Sequence, residues 1–284
     1  MFYWIYDHPP LLVATLFTLA FMAFGVIGLL IFLRVFHDWL HKDERTNEMV
    51  GFAMTSFALL HGLLLGLLAV AAYNNYAEKL ADVTAEAASL AALYRDVGGF
   101  PEPTRSELQD TLRQFTRSVI DVSWPLQREG QMPSEAPKIM GQLFDQMYAF
   151  EPADDRDAAV LAEALAQANT LVTLQRTRLA GINEGIPVLM WWVVVIGTII
   201  NIMLIWMVNG RKHIHVMLTG LLSGFMGLVI FLIAAMDHPF RGDVSVGPEA
   251  IEEVYQTMML PDAPAGAASP AAGAASPAIN RPEN

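Results

Sequence analysis

Histidine is the side chain of this sequence best suited to exchange a proton or hold a metal near neutral pH, and its seven copies fall in three settings. His61 stands alone in the middle of an apolar run, where an ionisable group usually faces a bundle interior or a wet cavity. It either lines a conduit or hydrogen-bonds a neighbouring helix. His37 and His41 are four apart, hence on one helical face, and His213 and His215 lie in a second short loop. Together they could offer four imidazoles to zinc or a similar transition metal, or simply meet lipid headgroups. His8 and His238 sit in two copies of one tripeptide, Asp7-His8-Pro9 and Asp237-His238-Pro239, where proline limits a helix and polar residues mark its end.

Enzyme chemistry finds less support. There is no glycine-rich phosphate loop, Gly-x-Ser-x-Gly elbow or His-Glu-x-x-His helix, and the acidic runs Asp154 to Asp157 and Glu252 to Glu253 read as solvated helix starts and faces. Cysteine is absent, which removes thiolate metal sites, disulfides and cysteine nucleophiles. A membrane haem would need two buried axial histidines, and only His61 lies at depth. No cofactor is therefore expected. A net charge of -12 also argues against a nucleic-acid partner, which would call for clustered Lys and Arg.

The elements that must position these residues are set by lipid. Of the 284 residues, 54% are hydrophobic and 16% charged, and the charges avoid four stretches. Leu11 to Leu33 (TM1), Met49 to Tyr73 (TM2), Ile186 to Val208 (TM3) and Val216 to Met236 (TM4) are each long enough to cross a hydrocarbon layer of about 30 Å as a helix. The TM1 run is too long for the core of a cleavable signal, so TM1 should stay attached. Trp191, Trp192 and Trp206 lie toward the ends of TM3, and Phe2, Tyr3, Trp4 and Tyr6 precede TM1, as interfacial anchors do.

Arg34, Lys42 and Arg45 between TM1 and TM2, with Arg211 and Lys212 between TM3 and TM4, place both short loops in the cytoplasm. The termini and the long insert, residues 74–185, then belong on the outer, periplasmic side of a bacterial inner membrane. Residues 1–73 and 186–236 are the membrane-embedded parts, and the fold class is all-α.

The insert reads as four helices. TM2 continues through Leu80, Val83, Ala87, Leu90 and Tyr94 until Gly98, Gly99, Pro101 and Pro103 stop it. Thr104 with Glu107 forms a capping box that opens a helix through Val122. Pro125, Gly130, Pro133 and Pro137 mark a loop, a shorter helix runs from Lys138 to Phe150, and a last one starts near Asp154, Asp155 and Asp157 and heads for TM3. An antiparallel bundle is the expected packing. If TM2 and TM3 both merge with their neighbouring insert helices, two long rods result, with Gly181, Gly185 and Pro187 as places to interrupt the second. Residues 237–260 hold one short helix, and 261–284 are an Ala, Pro, Gly and Ser tract too poor in large apolar side chains to fold.

Three stretches resemble a bacterial membrane family described as bestrophin-like and as a domain of unknown function. They are Glu86-Ala87-Ala88-Ser89-Leu90-Ala91-Ala92-Leu93-Tyr94-Arg95, Phe100-Pro101-Glu102-Pro103-Thr104-Arg105, and Met236-Asp237-His238-Pro239-Phe240-Arg241-Gly242. With the spacing of the four apolar runs, the resemblance covers nearly the whole chain before the tail. It implies an ion channel in the manner of bestrophins, homopentameric anion channels with a pore lined largely by the second transmembrane helix. Bestrophins carry their helical insert in the cytosol, whereas the loop charges here favour the other side, and neither their calcium-binding acidic cluster nor their aromatic pore neck is matched.

Within TM2, Thr55, Gly62, Gly66, Ala69 and Tyr73 share one face, with His61 beside it; the face serves either close helix packing or a conduit. TM4 has its own small residues at Gly220, Ser223, Gly224 and Gly227. Asp237, Pro239 and Phe240 are the expected structural or gating junction. The reading is an oligomeric channel, possible substrates being inorganic anions. The alternative is a non-conducting membrane scaffold or ligand sensor that uses its extramembrane bundle.

Overall fold

A helix that satisfies its own backbone hydrogen bonds is one of only two structures that can cross lipid, and this chain takes that solution throughout. The computed structural model describes residues 3–35, 44–208 and 211–261, and they contain helices and turns with no strand. TM1 lies within helix α1 (Pro10–Val35) and TM2 within α2 (Glu44–Val97). The insert continues with α3 (Thr104–Ser118), α4 (Trp124–Arg128), α5 (Glu135–Ala149) and α6 (Asp155–Ala180). TM3 is α7 (Val188–Met207), TM4 is α8 (Lys212–Asp237), and α9 (Glu249–Val254) follows. Among the described residues, four helices are long and apolar enough to span a membrane, as the sequence requires. The Ala and Pro tract from residue 262 lies outside the described residues.

The chain forms two compact units, which divide α2 between Ala85 and Glu86. The first contains all four spans, together with Ser123–Pro133 and Thr173–Gly247. Its core joins Ile5 and Val13, Leu65, Leu68 and Ala72 of α2, Trp191 and Val194 of α7, and Ile230, Ile233 and Ala234 of α8. TM1 and TM4 approach most closely. A Cβ added to Gly227 would stand 2.8 Å from the Phe17 carbonyl oxygen, and one added to Gly25 would strike the Ser223 hydroxyl. The small residues of TM4 thus face TM1, while TM3 is tied to TM1 by Trp206 Nε1–H, which donates to the Gly25 carbonyl at 2.9 Å. Lipid gives apolar helices no reason to prefer each other over acyl chains, so this closeness, with its dispersion energy, must supply the attraction.

The second unit is a helical bundle built from the end of α2, α3, α5, the first part of α6, and α9. Leu90, Leu93, Val97, Leu108, Leu112, Phe115, Leu143, Met147, Ala168 and Leu171 are buried in it, at the helical spacings the sequence shows. Buried polar pairs fix its register: Arg113 donates to the Tyr94 hydroxyl at 2.7 Å, and Thr111 to Gln146 at 2.9 Å.

Four local expectations change. Thr104 makes no cap; instead Glu102 accepts from the Ser106 backbone and hydroxyl, at 3.3 and 2.7 Å. The reciprocal cap forms at α6, where Asp154 accepts from the Asp157 N–H and Asp157 from the Ala153 N–H. Pro125 does not end its helix, because a wider turn at Val119–Ser123 precedes it and absorbs the clash between its ring and the carbonyl four residues back. Pro137 lies inside the first turn of α5, where its missing N–H would have had no partner anyway. Of the two rods, only α2 is continuous, with 54 residues or about 80 Å of helix; α6 stops at Ala180 before a tight turn and Pro187.

Gly227→Val should push TM1 away from TM4 and cost about 1–3 kcal/mol by overpacking. Gly141→Val, at a position in α5 with nothing within 4 Å of an added Cβ, should leave the thermal midpoint of the detergent-solubilised protein nearly unchanged. Equal midpoints for the two variants would refute the assignment of the TM4 glycines to TM1.

Candidate functional site: the junction after TM4 and the free face of TM2

TM4 ends at Asp237, and the residues that follow fold back to tie the ends of the spans together. Asp237 is buried, and its carboxylate accepts from the Ile186 backbone N–H at 2.5 Å and from Trp191 Nε1–H at 3.2 Å. Both donors belong to the start of TM3, where an anion is favoured by the unpaired N–H groups of the helix end. His238 Nδ1–H donates to the Glu184 carbonyl at 3.1 Å, and Glu184 in turn holds Lys79 of α2 at 2.9 Å. A side chain at Gly185 would meet the His238 ring at 2.8 Å, so glycine lets the two segments close.

Phe240 and Pro239 are buried behind this clasp. Phe240 meets the Trp124 ring edge-on at 6.5 Å, Trp124 Nε1–H donates to the Val246 carbonyl, and the Arg178 guanidinium lies 4.5 Å over the Trp124 ring. In the sequence, Trp124 and Glu184 carry no signal of their own, and Arg178 reads only as a basic residue flanking the membrane. The available signal was register, since Leu171, Gln175, Arg178 and Ile182 recur at helical spacing and all are buried.

Burial lowers the pKa of Lys79, but its hydrogen bond and charge pairing with Glu184, with Asp82 and Glu78 nearby, outweigh that, so the net shift is upward. For His238, burial dominates and Arg241 adds to it; the Asp237 charge and the bond to Glu184 oppose, and the net shift is below the ordinary 6.5. The folded state therefore prefers neutral His238.

The residues expected on TM2 separate into two environments. Gly62, Gly66, Thr55 and Tyr73 are exposed within the chain, and an added Cβ at Gly51, Gly62 or Gly66 would meet nothing within 4 Å. His61 turns the other way and is buried against TM3, its ring pressing on Gly197 and its Nε2 lying 3.1 Å from Thr198 Oγ1. Thr198 spends its own proton on the Val194 carbonyl, so it accepts and His61 Nε2–H donates. The loop histidines do not assemble in view. His215 is bonded to the Ile205 carbonyl at 2.9 Å, His213 is exposed, and His37 and His41 lie outside the described residues. Among the described residues no three His, Asp or Glu side chains are grouped to hold a metal.

Four spanning helices, a long TM2 that leaves the membrane, and a helical bundle between TM2 and TM3 define a class of membrane protein. The bestrophin-like domain family matches residues 19–251, and the chain belongs to that family. Solved structures share the fold. One point mutant of a bacterial bestrophin homologue from Klebsiella pneumoniae is 12% identical, with a TM-score of 0.62 over 87% of this chain and 97% of that one. A second point mutant of that homologue gives 12% identity and 0.61 over 84% and 96%, and the form solved by zinc phasing 12% and 0.60 over 87% and 99%. No curated protein matches the sequence.

Because the unfolded chain binds a proton at His238 more readily than the folded one, stability should rise with pH through the window below about 6.5 and level off above it. Thermal midpoints between about pH 5 and 7.5 should show this slope, and His238→Gln should flatten it. Asp237→Ala, which leaves two buried donors unpaired, should cost about 2–4 kcal/mol at every pH; a loss below about 0.5 kcal/mol would mean the clasp is ornamental.

Proposed function

We propose that the protein assembles as a homo-oligomeric channel for inorganic anions, with TM2 nearest the conduit and between subunits. The observation that supports this reading is the division of TM2 into three stripes. His61, Leu65, Leu68 and Ala72 are buried inside the chain; Leu59, Leu60, Leu63, Leu67 and Val70 are exposed and greasy. At about 100° per residue, Gly51, Thr55, Gly62, Gly66, Ala69 and Tyr73 occupy a separate sector roughly 60° wide. Acyl chains do not need a surface of small residues, whereas neighbouring helices and a wet path do. In this reading Asp237 and its partners hold the junction that fixes the outer end of TM2, and His61 keeps TM2 in phase with TM3.

Purified protein should be larger than a monomer in detergent and should pass anion current in planar bilayers. Gly66→Phe should disrupt assembly or cut the current more than about tenfold, while Leu63→Phe, on the greasy stripe, should do neither. A monomer that carries no current would defeat the channel and favour a scaffold.

The basic residues flanking the short loops support a periplasmic bundle in a bacterial inner membrane. The chain has no cysteine, so a single cysteine placed at Tyr148, which is 69% exposed, can report its side. It should react with a membrane-impermeant maleimide in intact spheroplasts, and a cysteine at Arg211 should react only after lysis. The reverse pattern would place the bundle in the cytosol.

A further inference from the structure

The carboxylate that ends TM4 and the imidazole that follows it are set as the two halves of a switch. Because His238 Nδ1–H is committed to the Glu184 carbonyl, the nitrogen that takes up a proton is Nε2. Nε2 stands 3.8 Å from Asp237 Oδ2, about 1 Å beyond the reach of a charge-assisted hydrogen bond. While Nε2 is neutral it offers Asp237 only a lone pair, and the carboxylate stays with the start of TM3, one oxygen on the Ile186 N–H and the other on Trp191 Nε1–H. A proton turns Nε2 into a donor that competes for the oxygen Trp191 holds at 3.2 Å.

The ring cannot answer that competition alone. It lies against Gly185, where an added Cβ would stand 2.8 Å away, and against Tyr6, which is fixed by donating to the Ala234 carbonyl. Its own bond runs to the Glu184 backbone, and the Glu184 carboxylate holds Lys79 of α2 at 2.9 Å. A shift at His238 is therefore passed to TM2. There is room for it: a cavity of about 180 Å³ lies beside the clasp, bounded by Ala72 and Asn75 of α2 and by Gly185, Ile186 and Asp237.

The surroundings of the ring decide which form the clasp prefers. Burial opposes the charge most, Arg241 and the chain's amino terminus add to that, and Asp237 and the Glu184 carbonyl favour the proton; the balance is against it. The Glu184 carboxylate is matched by Lys79, and Tyr6 presents only its ring. Acid consequently favours whatever arrangement breaks the clasp.

We propose that a proton on His238 Nε2 opens the clasp: Asp237 turns from the start of TM3 to the imidazolium, and the displaced Glu184 shifts Lys79 and the end of TM2 that carries it. For the anion conduit proposed above, on which this consequence rests, the clasp is a proton-operated gate.

The test is hydrogen exchange of the full-length protein in detergent, corrected for the pH dependence of the intrinsic rate. The Ile186 amide should lose at least about tenfold of its protection between about pH 7.5 and 5.5, while that of Thr198, deeper in TM3, should not. The loss should follow one proton, with a midpoint below 6.5. His238→Asn, which keeps an N–H for the Glu184 carbonyl and cannot take the proton, should hold the Ile186 protection within about twofold. Protection that is constant in the native chain, that falls equally at Thr198 or in His238→Asn, or that titrates near about pH 4 as an ordinary carboxylate does, would overturn the switch. In planar bilayers, acid on the clasp side should change the native current by more than about threefold and leave that of His238→Asn unaltered. A current indifferent to pH while Ile186 loses protection would overturn the gate. Absence of current at either pH would count against the channel instead, and the exchange result would then decide the switch by itself.

Discussion

Lipid is as apolar as the helices it surrounds, so the four spans gain nothing by burying greasy side chains against one another. What remains is close contact and hydrogen bonding, and this chain separates the two. Between TM1 and TM4 the work is done by missing side chains, with Gly227 letting its helix approach the Phe17 carbonyl and Gly25 making room for the Ser223 side chain. Polar groups do it between TM3 and its neighbours: Thr198 with His61, the Ile205 carbonyl with His215, and Asp237 with the first turn of TM3. A polar group left alone at that depth would be expensive, so each pair also discriminates against other registers.

The spans themselves were legible because their signal is length and the absence of charge, which neighbouring residues cannot easily disguise. The family resemblance was legible for a different reason: the Asp237 to Gly242 motif is short and its members meet in one place. Proline was misleading. Pro125 and Pro137 read as loop markers, yet a widened turn accommodates the one and a helix start the other. Whether proline breaks a helix depends on which N–H it replaces, and sequence alone does not number the turn.

The candidate site was legible in its anchors and not in its partners. Asp237 and Phe240 could be named from the motif, whereas Glu184, Trp124 and Arg178 come from segments about 50 to 115 residues away in the chain; Glu184 and Trp124 carry no local pattern of their own, and Arg178 carries only its helical register. On TM2 the helical period grouped Thr55, Gly62, Gly66 and Tyr73 correctly as one sector. His61 is roughly 110–120° off that sector's centre, enough to turn it into the protein. An angular difference of this size is visible on a helical wheel, but which side holds the neighbouring helix is not.

The unbroken course of α2 has a consequence for how this chain can change length. His61 and Lys79 stand 18 residues apart on that one helix, five whole turns, and so share one rotational phase; the first meets Thr198 and the second Glu184. Inserting a single residue between them would turn one against the other by about 100°, taking His61 off Thr198 or Lys79 off Glu184. Seven added residues would miss by only about 20°. Lengths that differ by near-whole numbers of turns are therefore the ones this stretch of α2 can accept, and it acts as a keyed shaft whose two contacts can be spaced differently but not freely reclocked.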